Sequence, residues 1–113
     1  MRVVLNMAKK QTPEGKVMKD ICRHLACKGI FFWRNNNIGV FDPTTKRFRS
    51  MPKYAIKGVS DIIAVIDGQA VFIEAKSEKG IQSDYQKKFQ RKVEKNGGTY
   101  ILCRSVDDLI DHI

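Results

Sequence analysis

The first regular pattern of hydrophobic positions along the chain predicts an amphipathic helix from Thr12 to about Gly29. Val17, Ile21 and Leu25 recur at four-residue spacing, so they would lie on one helix face and pack into a core. Thr12 can cap the helix, because a threonine oxygen accepts a hydrogen bond from the first turn. Gly29 is typical of the residue that follows a helix.

The pattern then changes to that of β-strands. Residues 30–34 (IFFWR) are aromatic and β-branched, which predicts a buried strand, and residues 40–48 predict a short hairpin or loop excursion. Residues 61–66 and 69–76 are two apolar runs joined by Asp67-Gly68, a dipeptide typical of two-residue hairpin turns. Because both faces of this hairpin are apolar, we expect two central strands that are covered on each side.

The remaining part of the chain predicts a second helix over residues 83–96. Tyr85, Phe89 and Val93 share one face of this helix, so they would point into the core. Two glycines follow it, which is typical of a helix end.

A strand over residues 99–103 (TYILC) and a short last helix complete the pattern. Ser105 and Asp108 are spaced as a capping box at the start of that helix. The alternation of helices and strands predicts a single α/β domain over residues 12–113, which suits a chain of 113 residues. Residues 1–11 have no clear period and are predicted to form a basic N-terminal arm.

The charge of the chain favours an anionic partner. Lys and Arg number 21 against 12 Asp and Glu, a formal net charge of +9, and nucleic acid is the commonest anionic partner of such a protein. The alternative is a charge that only keeps the protein soluble. One strongly basic stretch precedes the central hairpin and is predicted to contact the phosphate backbone of DNA: Lys46, Arg47, Arg49, Lys53 and Lys57.

A second basic cluster lies on the polar side of the second predicted helix. It could be another phosphate-binding patch or only a solvated face, and the sequence leaves both open. Its members are Lys87, Lys88, Arg91, Lys92 and Lys95.

The cysteines and the short apolar runs indicate in which cellular compartment the protein is expected. Cys22, Cys27 and Cys103 form neither an even disulfide framework nor a zinc-binding spacing, which favours free thiols in a reducing cytosol. No apolar run near the N-terminus is long enough for a signal peptide or a membrane span. We therefore expect a cytoplasmic protein that makes no contact with a membrane.

The Asp67-Gly68 turn fixes a register that brings three charged residues together. If those two residues form the turn, facing positions sum to 135, so Asp61 faces Glu74. Lys76 lies two residues beyond Glu74 and projects from the same face. Directly opposed side chains have Cβ atoms about 4.5–5.5 Å apart, so two carboxylates and an ammonium would converge.

Two opposed carboxylates at the end of a buried hairpin need a counter-cation, because like charges there are destabilising and burial raises the cost. A hard divalent ion suits carboxylate oxygens, and Mg²⁺ is usual where phosphate is the substrate. Such an ion can polarise a scissile phosphate. The backbone carbonyl of Ala75 could supply a further ligand, and Lys76 could position water or stabilise charge. The alternative is a surface hairpin with an ordinary ion pair, which contributes little.

These residues also carry a resemblance to a known family. The sequence resembles the PD-(D/E)xK nuclease superfamily and, more narrowly, the VRR-NUC domain, from Glu14 to about Asp108. Ser60 stands where the superfamily name has proline, as is usual for VRR-NUC. The matching residues are Gly58-Val59-Ser60-Asp61, Phe72-Ile73-Glu74-Ala75-Lys76, Gly80 and Gln86.

The resemblance implies an α/β fold with a restriction-endonuclease-like core, in which a four- to five-stranded mixed sheet is flanked by helices. It also implies Mg²⁺ or Mn²⁺ bound by Asp61 and Glu74, with Lys76 as the catalytic lysine.

Further roles follow only from the resemblance. Glu14 would complete the metal site directly or through water, although its place in a first helical turn also suits the helix dipole. Gln86 would orient the substrate or the catalytic lysine, although it also completes a capping box with Ser83. Arg34 and Asn35 would line the site and contact DNA, unless they only form a turn.

The sequence therefore predicts a metal-dependent endonuclease that hydrolyses DNA phosphodiester bonds in a bacterial or phage-infected cell. By analogy with the family, it would select branched DNA such as four-way junctions, and a homodimer would supply the two nicks that a junction needs. A non-catalytic nucleic-acid-binding module is the alternative that the basic charge supports equally well, and an RNA-directed nuclease is a third.

Overall fold

The computed structural model of the chain describes residues 11–35, 41–48 and 52–113. The predicted N-terminal arm, apart from Gln11, and the predicted DNA-binding residue Arg49 lie outside this part of the chain. The described elements are, in chain order, α1 (Pro13–Cys27), β1 (Phe31–Arg34), β2 (Phe41–Asp42), β3 (Arg47–Phe48), β4 (Ile62–Ile66), β5 (Gln69–Ala75), α2 (Asp84–Lys95), β6 (Thr99–Cys103) and α3 (Val106–Ile110).

The protein is an α/β structure built on a four-stranded mixed sheet in the order β1-β4-β5-β6, with helices against it. β1, β4 and β5 are antiparallel neighbours, whereas β6 runs parallel to β5 after the α2 crossover. β2 and β3 form a separate antiparallel hairpin, as predicted for residues 40–48. The mixed sheet confirms the coarse prediction of an α/β fold.

Helix α1 begins as predicted. The Thr12 side chain accepts a hydrogen bond from the backbone N–H of Gly15 at 3.0 Å, and Pro13 occupies the first turn. Met18, Ile21 and Leu25 are buried against the sheet. Burial of large aliphatic side chains of this kind contributes about 1.5–3 kcal/mol each.

The main core lies between one face of the sheet, α1 and α3. Its sheet residues alternate along β4 and β5, as the two-residue period of a strand requires, and Leu109 of α3 completes it. The buried sheet residues of this core are Ile62, Ala64, Val71, Ile73, Ala75, Ile101 and Cys103.

On the second face of the sheet, α2 packs over β5 and β6. The Phe89 ring of α2 meets the rings of Phe72 and Tyr100 at centroid distances of 5.3 and 6.2 Å. On this face no described helix covers β1, so Phe31 is 68% exposed and Trp33 is 44% exposed. The predictions of a buried first strand and of cover on both faces of the central hairpin were therefore wrong at this edge.

Two further local predictions were wrong. Tyr85 is exposed, not inward, because the inward position of the first turn of α2 belongs to Gln86. The Ser105 side chain makes no capping hydrogen bond, because the Asp108 carboxylate instead accepts from the backbone N–H of Arg104 at 2.8 Å. Within the described residues, no helix has the length and apolar character to cross a bilayer.

Candidate active site

The predicted constellation lies at the end of the β4–β5 hairpin that is remote from its turn. Asp67 and Gly68 both have positive φ, as a type I′ turn requires, and the pairing from Ile66–Gln69 to Ile62–Ile73 has the predicted register. β4 begins at Ile62, one residue later than predicted, so Asp61 lies just before the strand. The strand end thus leaves its side chain to turn toward β5.

Asp61 closes the hairpin through its side chain. Its Oδ2 atom accepts a hydrogen bond from the backbone N–H of Ala75 at 2.9 Å, and its carbonyl accepts from the N–H of Asn35 at 2.8 Å. The carboxylate therefore takes the place of a backbone acceptor at the strand end. Asn35, predicted to line the site, is attached to it through its backbone.

Glu74 is the most buried charged residue of the described chain, at 1% exposure. The Gln86 amide donates to its Oε2 atom at 3.1 Å, and the Tyr100 hydroxyl lies 3.5 Å from Oε1 at the long limit of a hydrogen bond. Buried carboxylates are rare unless they are paired or bind a metal. These contacts hold both oxygens in fixed positions.

Burial raises the pKa of Glu74 from its ordinary value of 4.5 to about 9. The hydrogen bond and negative charge of Asp61 contribute to this rise, while the positive charge of Lys76 acts in the opposite direction. Without a cation, the Asp61–Glu74 pair therefore holds a proton at neutral pH. The two acids meet as the register predicted.

Lys76 follows the last residue of β5, one residue beyond the end of the strand. Its backbone N–H donates to the Cys103 carbonyl at 2.9 Å, which anchors it to β6. Lys76 is half-buried as a residue, and its ammonium forms no ion pair within the described part of the chain. A fixed backbone with an uncommitted charged tip suits a side chain that contacts substrate.

The loop after Lys76 is held by Arg104, which sequence reasoning missed. One guanidinium nitrogen of Arg104, Nη1, lies 2.7 Å from the carbonyls of both Ser77 and Gly80. This arrangement fixes the segment that leaves the site. No local sequence signal links an arginine after β6 to a loop that precedes it by more than twenty positions.

Gln86 completes the capping box, one of the two alternatives that the sequence left open, and it also contacts Glu74. The Gln86 Oε1 atom accepts a hydrogen bond from the backbone N–H of Ser83 at 2.8 Å. The Ser83 hydroxyl in turn accepts from the backbone N–H of Gln86 at 3.1 Å, which completes the capping box. Its Nε2 atom donates to Glu74. The start of α2 is thereby coupled to the buried carboxylate.

Gly58 brings the start of α2 close to the loop that precedes Asp61. Gly58 has φ +82°, and a Cβ atom there would lie 2.4 Å from the backbone carbon and oxygen of Tyr85. Only glycine permits that approach. Ser60 is fully buried, and its hydroxyl donates to the Ile62 carbonyl at 3.0 Å, so its polar atom is satisfied.

Tyr100 and Gln82 are further residues that sequence reasoning missed. The Gln82 amide donates to the Tyr100 hydroxyl at 3.1 Å and to the Gln90 side chain at 2.9 Å. Burial raises the pKa of Tyr100, and the negative charge of Glu74 adds to this effect. Tyr100 pairs with Phe72 across parallel strands, a register that no turn in the sequence specifies.

Two further predicted site residues, Glu14 and Arg34, lie beside Asp61. Glu14 and Arg34 line a cavity of about 530 Å³ together with Asp61. The negative charge of Glu14 is also the weakest of the influences that raise the pKa of Glu74. An acid and a base from two elements therefore face the cavity that Asp61 borders.

The predicted DNA-binding lysines are divided between two segments. Lys46 and Arg47 lie on the β2–β3 hairpin, whereas Lys53 and Lys57 lie in the segment that precedes β4. Lys57 is placed over the ring of Tyr85, with its ammonium 5.1 Å from the ring centroid.

The carboxylates near the site do not form a large metal-binding cluster. Across residues 11–35, 41–48 and 52–113, no group of three or more His, Cys, Asp or Glu side chains is arranged to hold a metal ion. Mg²⁺ usually takes only one or two protein carboxylates and keeps several water ligands. The Asp61–Glu74 pair offers two carboxylates, which is the number that Mg²⁺ usually takes and fewer than a fully protein-ligated ion needs.

Comparison of the chain with protein-family models, with curated proteins and with solved structures finds no match. The functional argument therefore rests on the residues and their geometry.

Proposed function

We propose that this protein is a metal-dependent endonuclease that hydrolyses DNA phosphodiester bonds. The observation that carries the proposal is the pairing of half-buried Asp61 with buried Glu74, with Lys76 two residues beyond Glu74 at the open end of the hairpin. A protein that only binds nucleic acid has no need of a buried pair of acids, whose burial costs stability. The net charge of +9 supports an anionic substrate.

Asp61, Glu74 and the backbone carbonyl of Ala75 would hold Mg²⁺ or Mn²⁺. All three offer the hard oxygen atoms that these ions prefer. The N–H of Ala75 points to Asp61, and the carbonyl of a strand residue points to the same side as its N–H. When bound, the ion supplies Lewis-acid polarisation of the scissile phosphodiester.

The side chains of the protein position the reacting groups. Gln86 and Tyr100 orient the two oxygens of Glu74, and the Ala75 N–H orients Asp61. Lys76 stabilises the negative charge that develops on the phosphate, a kind of contact that contributes a large share of catalysis. Its ammonium is available for this role because it forms no ion pair with the described residues.

The fold supports a restriction-endonuclease-like core of the VRR-NUC type. A four-stranded mixed sheet has α1 and α3 on one face and α2 on the other. The acids come from the ends of β4 and β5, and Gln86 comes from the helix that follows. This is the arrangement that the resemblance of the sequence implies, and Glu14 on α1 faces the same cavity as Asp61.

The proposal extends to branched DNA and to a homodimer. A four-way junction needs two nicks, and one small site makes one nick, so two copies are required. The exposed edge strand β1 supports association of a second copy, because Phe31 and Trp33 present adjacent rings with centroids 5.6 Å apart. Such an edge is a ready surface for another chain.

The test is cleavage of a labelled panel: linear duplex, single strand, flap, splayed arm and four-way junction, each with Mg²⁺, Mn²⁺ or EDTA. We expect metal-dependent cutting that is fastest on a branched substrate. Asp61→Asn and Lys76→Ala should each slow it by about 10²–10³-fold, because each removes an electrostatic contact to the reacting phosphate.

Two matched variants serve as controls. Asp67→Asn removes a carboxylate at the turn end of the same hairpin, and Lys79→Ala removes an exposed lysine three residues from Lys76. Both should cut within about twofold of the unmodified protein, as surface changes usually do. Tight DNA binding without cutting in any metal would replace the nuclease by a non-catalytic nucleic-acid-binding module.

A further inference from the structure

Two tyrosines beside the start of α2 expose most of their rings to solvent. Tyr54 is 87% exposed and Tyr85 is 55% exposed. Single exposed apolar residues need no explanation, but Ala55, the chain neighbour of Tyr54, lines the same depression as Tyr85 and three lysines. We name this region the tyrosine–lysine patch; it consists of Lys53, Tyr54, Lys57, Tyr85, Lys88 and Lys92.

Each tyrosine ring carries a lysine ammonium. The Lys53 Nζ atom lies 5.2 Å from the centroid of the Tyr54 ring, and Lys57 Nζ lies 5.1 Å from the centroid of the Tyr85 ring. Cation–π contacts of this kind hold a ring in place at an exposed site. The patch therefore presents oriented aromatic surfaces next to positive charge.

The backbone holds Tyr54 outward at a local cost. The backbone N–H of Ala55 donates to the Pro52 carbonyl at 3.0 Å, which closes a tight turn, and Tyr54 has φ +71° within it. Glycine or asparagine normally occupies such a position, because a residue with a Cβ atom is strained there by about 1–3 kcal/mol. The ring gains almost no burial in return, so folding alone does not account for it.

A shallow depression adjoins Tyr85. It has a volume of about 230 Å³, and its lining combines apolar residues with lysines. Its lining residues are Ala55, Ile56, Lys57, Tyr85, Lys88, Phe89 and Lys92. The floor is apolar where Phe89 contributes, and the charged side chains Lys57, Lys88 and Lys92 are exposed around it.

We infer that the tyrosine–lysine patch binds unpaired nucleotides of a DNA strand, with bases against Tyr54 and Tyr85 and phosphates against the lysines. The chemistry favours a single strand over a duplex, because bases stacked inside a duplex offer no free ring face, whereas single strands bind by stacking on aromatic residues along a basic groove. Lysines alone would bind the duplex backbone equally well. The exposed tyrosines are what distinguish the two.

This inference rests on the proposed function and defines its substrate class more closely. Tyr85 directly precedes Gln86, whose amide holds Glu74. A strand bound on the patch would therefore pass close to the proposed reacting groups. The expected substrate is DNA that has unpaired nucleotides beside the cut, such as a flap, a splayed arm or the centre of a junction.

The test measures binding without cleavage. A fluorescent oligo-dT of 12 nucleotides, about the length that one single-strand-binding module covers, is compared by anisotropy in EDTA with an abasic oligomer of equal length and charge. The unmodified protein should bind oligo-dT about tenfold more tightly or better, since each stacked base contributes in that range. The double variant Tyr54→Leu/Tyr85→Leu should bind the two oligomers equally.

Three controls separate stacking from other effects. The double variant Tyr54→Phe/Tyr85→Phe keeps the rings and should keep the preference for oligo-dT. Phe31→Leu removes an exposed ring outside the patch and should leave the preference unchanged. Lys92→Gln should weaken binding of both oligomers by the same factor, because a lysine reads only the phosphates.

Equal binding of the two oligomers by the unmodified protein would overturn the inference, and so would a preference that survives in the leucine double variant. The assay needs no metal, so its result is independent of cleavage. If the DNA panel is cut but the preference for oligo-dT is absent, the nuclease proposal is supported and the proposed role of the patch is wrong. If that preference is present but no DNA is cut, the role of the patch is supported and the nuclease proposal is wrong.

Discussion

The two ends of the β4–β5 hairpin place acidic side chains in opposite surroundings, exposed at the turn and part-buried at the open end. At the turn end, Asp67 is exposed and adopts the positive φ that a two-residue turn requires. At the open end, Asp61 and Glu74 are brought together in a part-buried setting where the negative charge of Asp61 raises the cost of ionising Glu74. An acidic side chain thus fits its surroundings at the turn end, whereas at the open end an acidic side chain adds to the cost of ionising a buried neighbour.

This difference between the two ends indicates that the residues of the open end are suited to function at a cost in stability. Natural sequences usually agree with their fold at every level, and violations are found at functional sites. The open end holds a pair of acids of which Glu74 is buried, a glycine in close contact with a helix backbone, and a helix-capping side chain that also donates to Glu74. The predictions below compare variants at the two ends.

The largest expected effect is a loss of stability with rising pH. The folded-state pKa of Glu74, about 9, lies above its unfolded value of 4.5. Between these values the folded protein keeps a proton that the unfolded chain has released, so stability is fully present below 4.5 and is lost as pH rises through about 9. In EDTA, the free energy of unfolding should fall by up to about 3 kcal/mol from pH 6 to 8.5, at about 1.4 kcal/mol per unit.

Urea unfolding at several pH values measures this slope. Glu74→Gln mimics the protonated acid and should flatten it, making the variant more stable than the parent at pH 8.5. Asp67→Asn at the turn end should leave the slope unchanged. Mg²⁺ at millimolar concentration should restore stability only to a protein that retains Glu74, because a ligand stabilises the state that binds it. A flat profile in the parent would contradict the raised pKa.

Much of the fold could be predicted because its signals are local. The cap at Thr12, the apolar spacing of α1 and the Asp67-Gly68 turn each depend on neighbouring residues, and the turn alone fixed the register that joins Asp61 to Glu74. Those parts of the site follow from the hairpin. This is why the central acids were predictable from spacing.

The parts that could not be predicted depend on long-range packing. Whether IFFWR is buried depends on which strands α2 covers, and α2 covers β5 and β6 while leaving β1 at the edge. Tyr100 reaches Glu74 only through the parallel register of β5 and β6. The apolar spacing of α2 predicts an inward Tyr85, because tyrosine is more hydrophobic than glutamine. The inward position is instead occupied by Gln86, whose amide donates a hydrogen bond to Glu74.

A second comparison uses two glycines with similar backbone angles. Gly58 at the open end has φ +82°, and Gly68 at the turn end has φ +79°. A Cβ atom at Gly68 would meet nothing within 4 Å, whereas one at Gly58 would lie 2.4 Å from the Tyr85 backbone. Gly68→Ala should cost about 1 kcal/mol from backbone strain alone. Gly58→Ala should cost about 3 kcal/mol, because overpacking adds to that strain.

Urea unfolding of both variants at one pH gives the two free energies. Gly58→Ala should also weaken Mg²⁺ binding measured by titration calorimetry, because displacement of Tyr85 moves the adjoining Gln86 away from Glu74. Gly68→Ala should bind Mg²⁺ as the parent does. Equal costs for the two substitutions would show that the approach of Gly58 to α2 is not needed for folding.

The smallest expected effect separates scaffold from site within the open end itself. Ser83→Ala removes the hydroxyl that caps α2 and should cost about 1 kcal/mol of stability, while cleavage stays within about twofold. Gln86→Glu should do the reverse, because glutamate also accepts in a capping box but cannot donate to Glu74 when ionised. Its stability in Mg²⁺ should stay within about 0.5 kcal/mol of the parent, while cleavage falls by about tenfold or more. If Ser83→Ala slows cleavage as much as Gln86→Glu does, Gln86 acts only through the helix cap, and its contact with Glu74 has no part in positioning the acid.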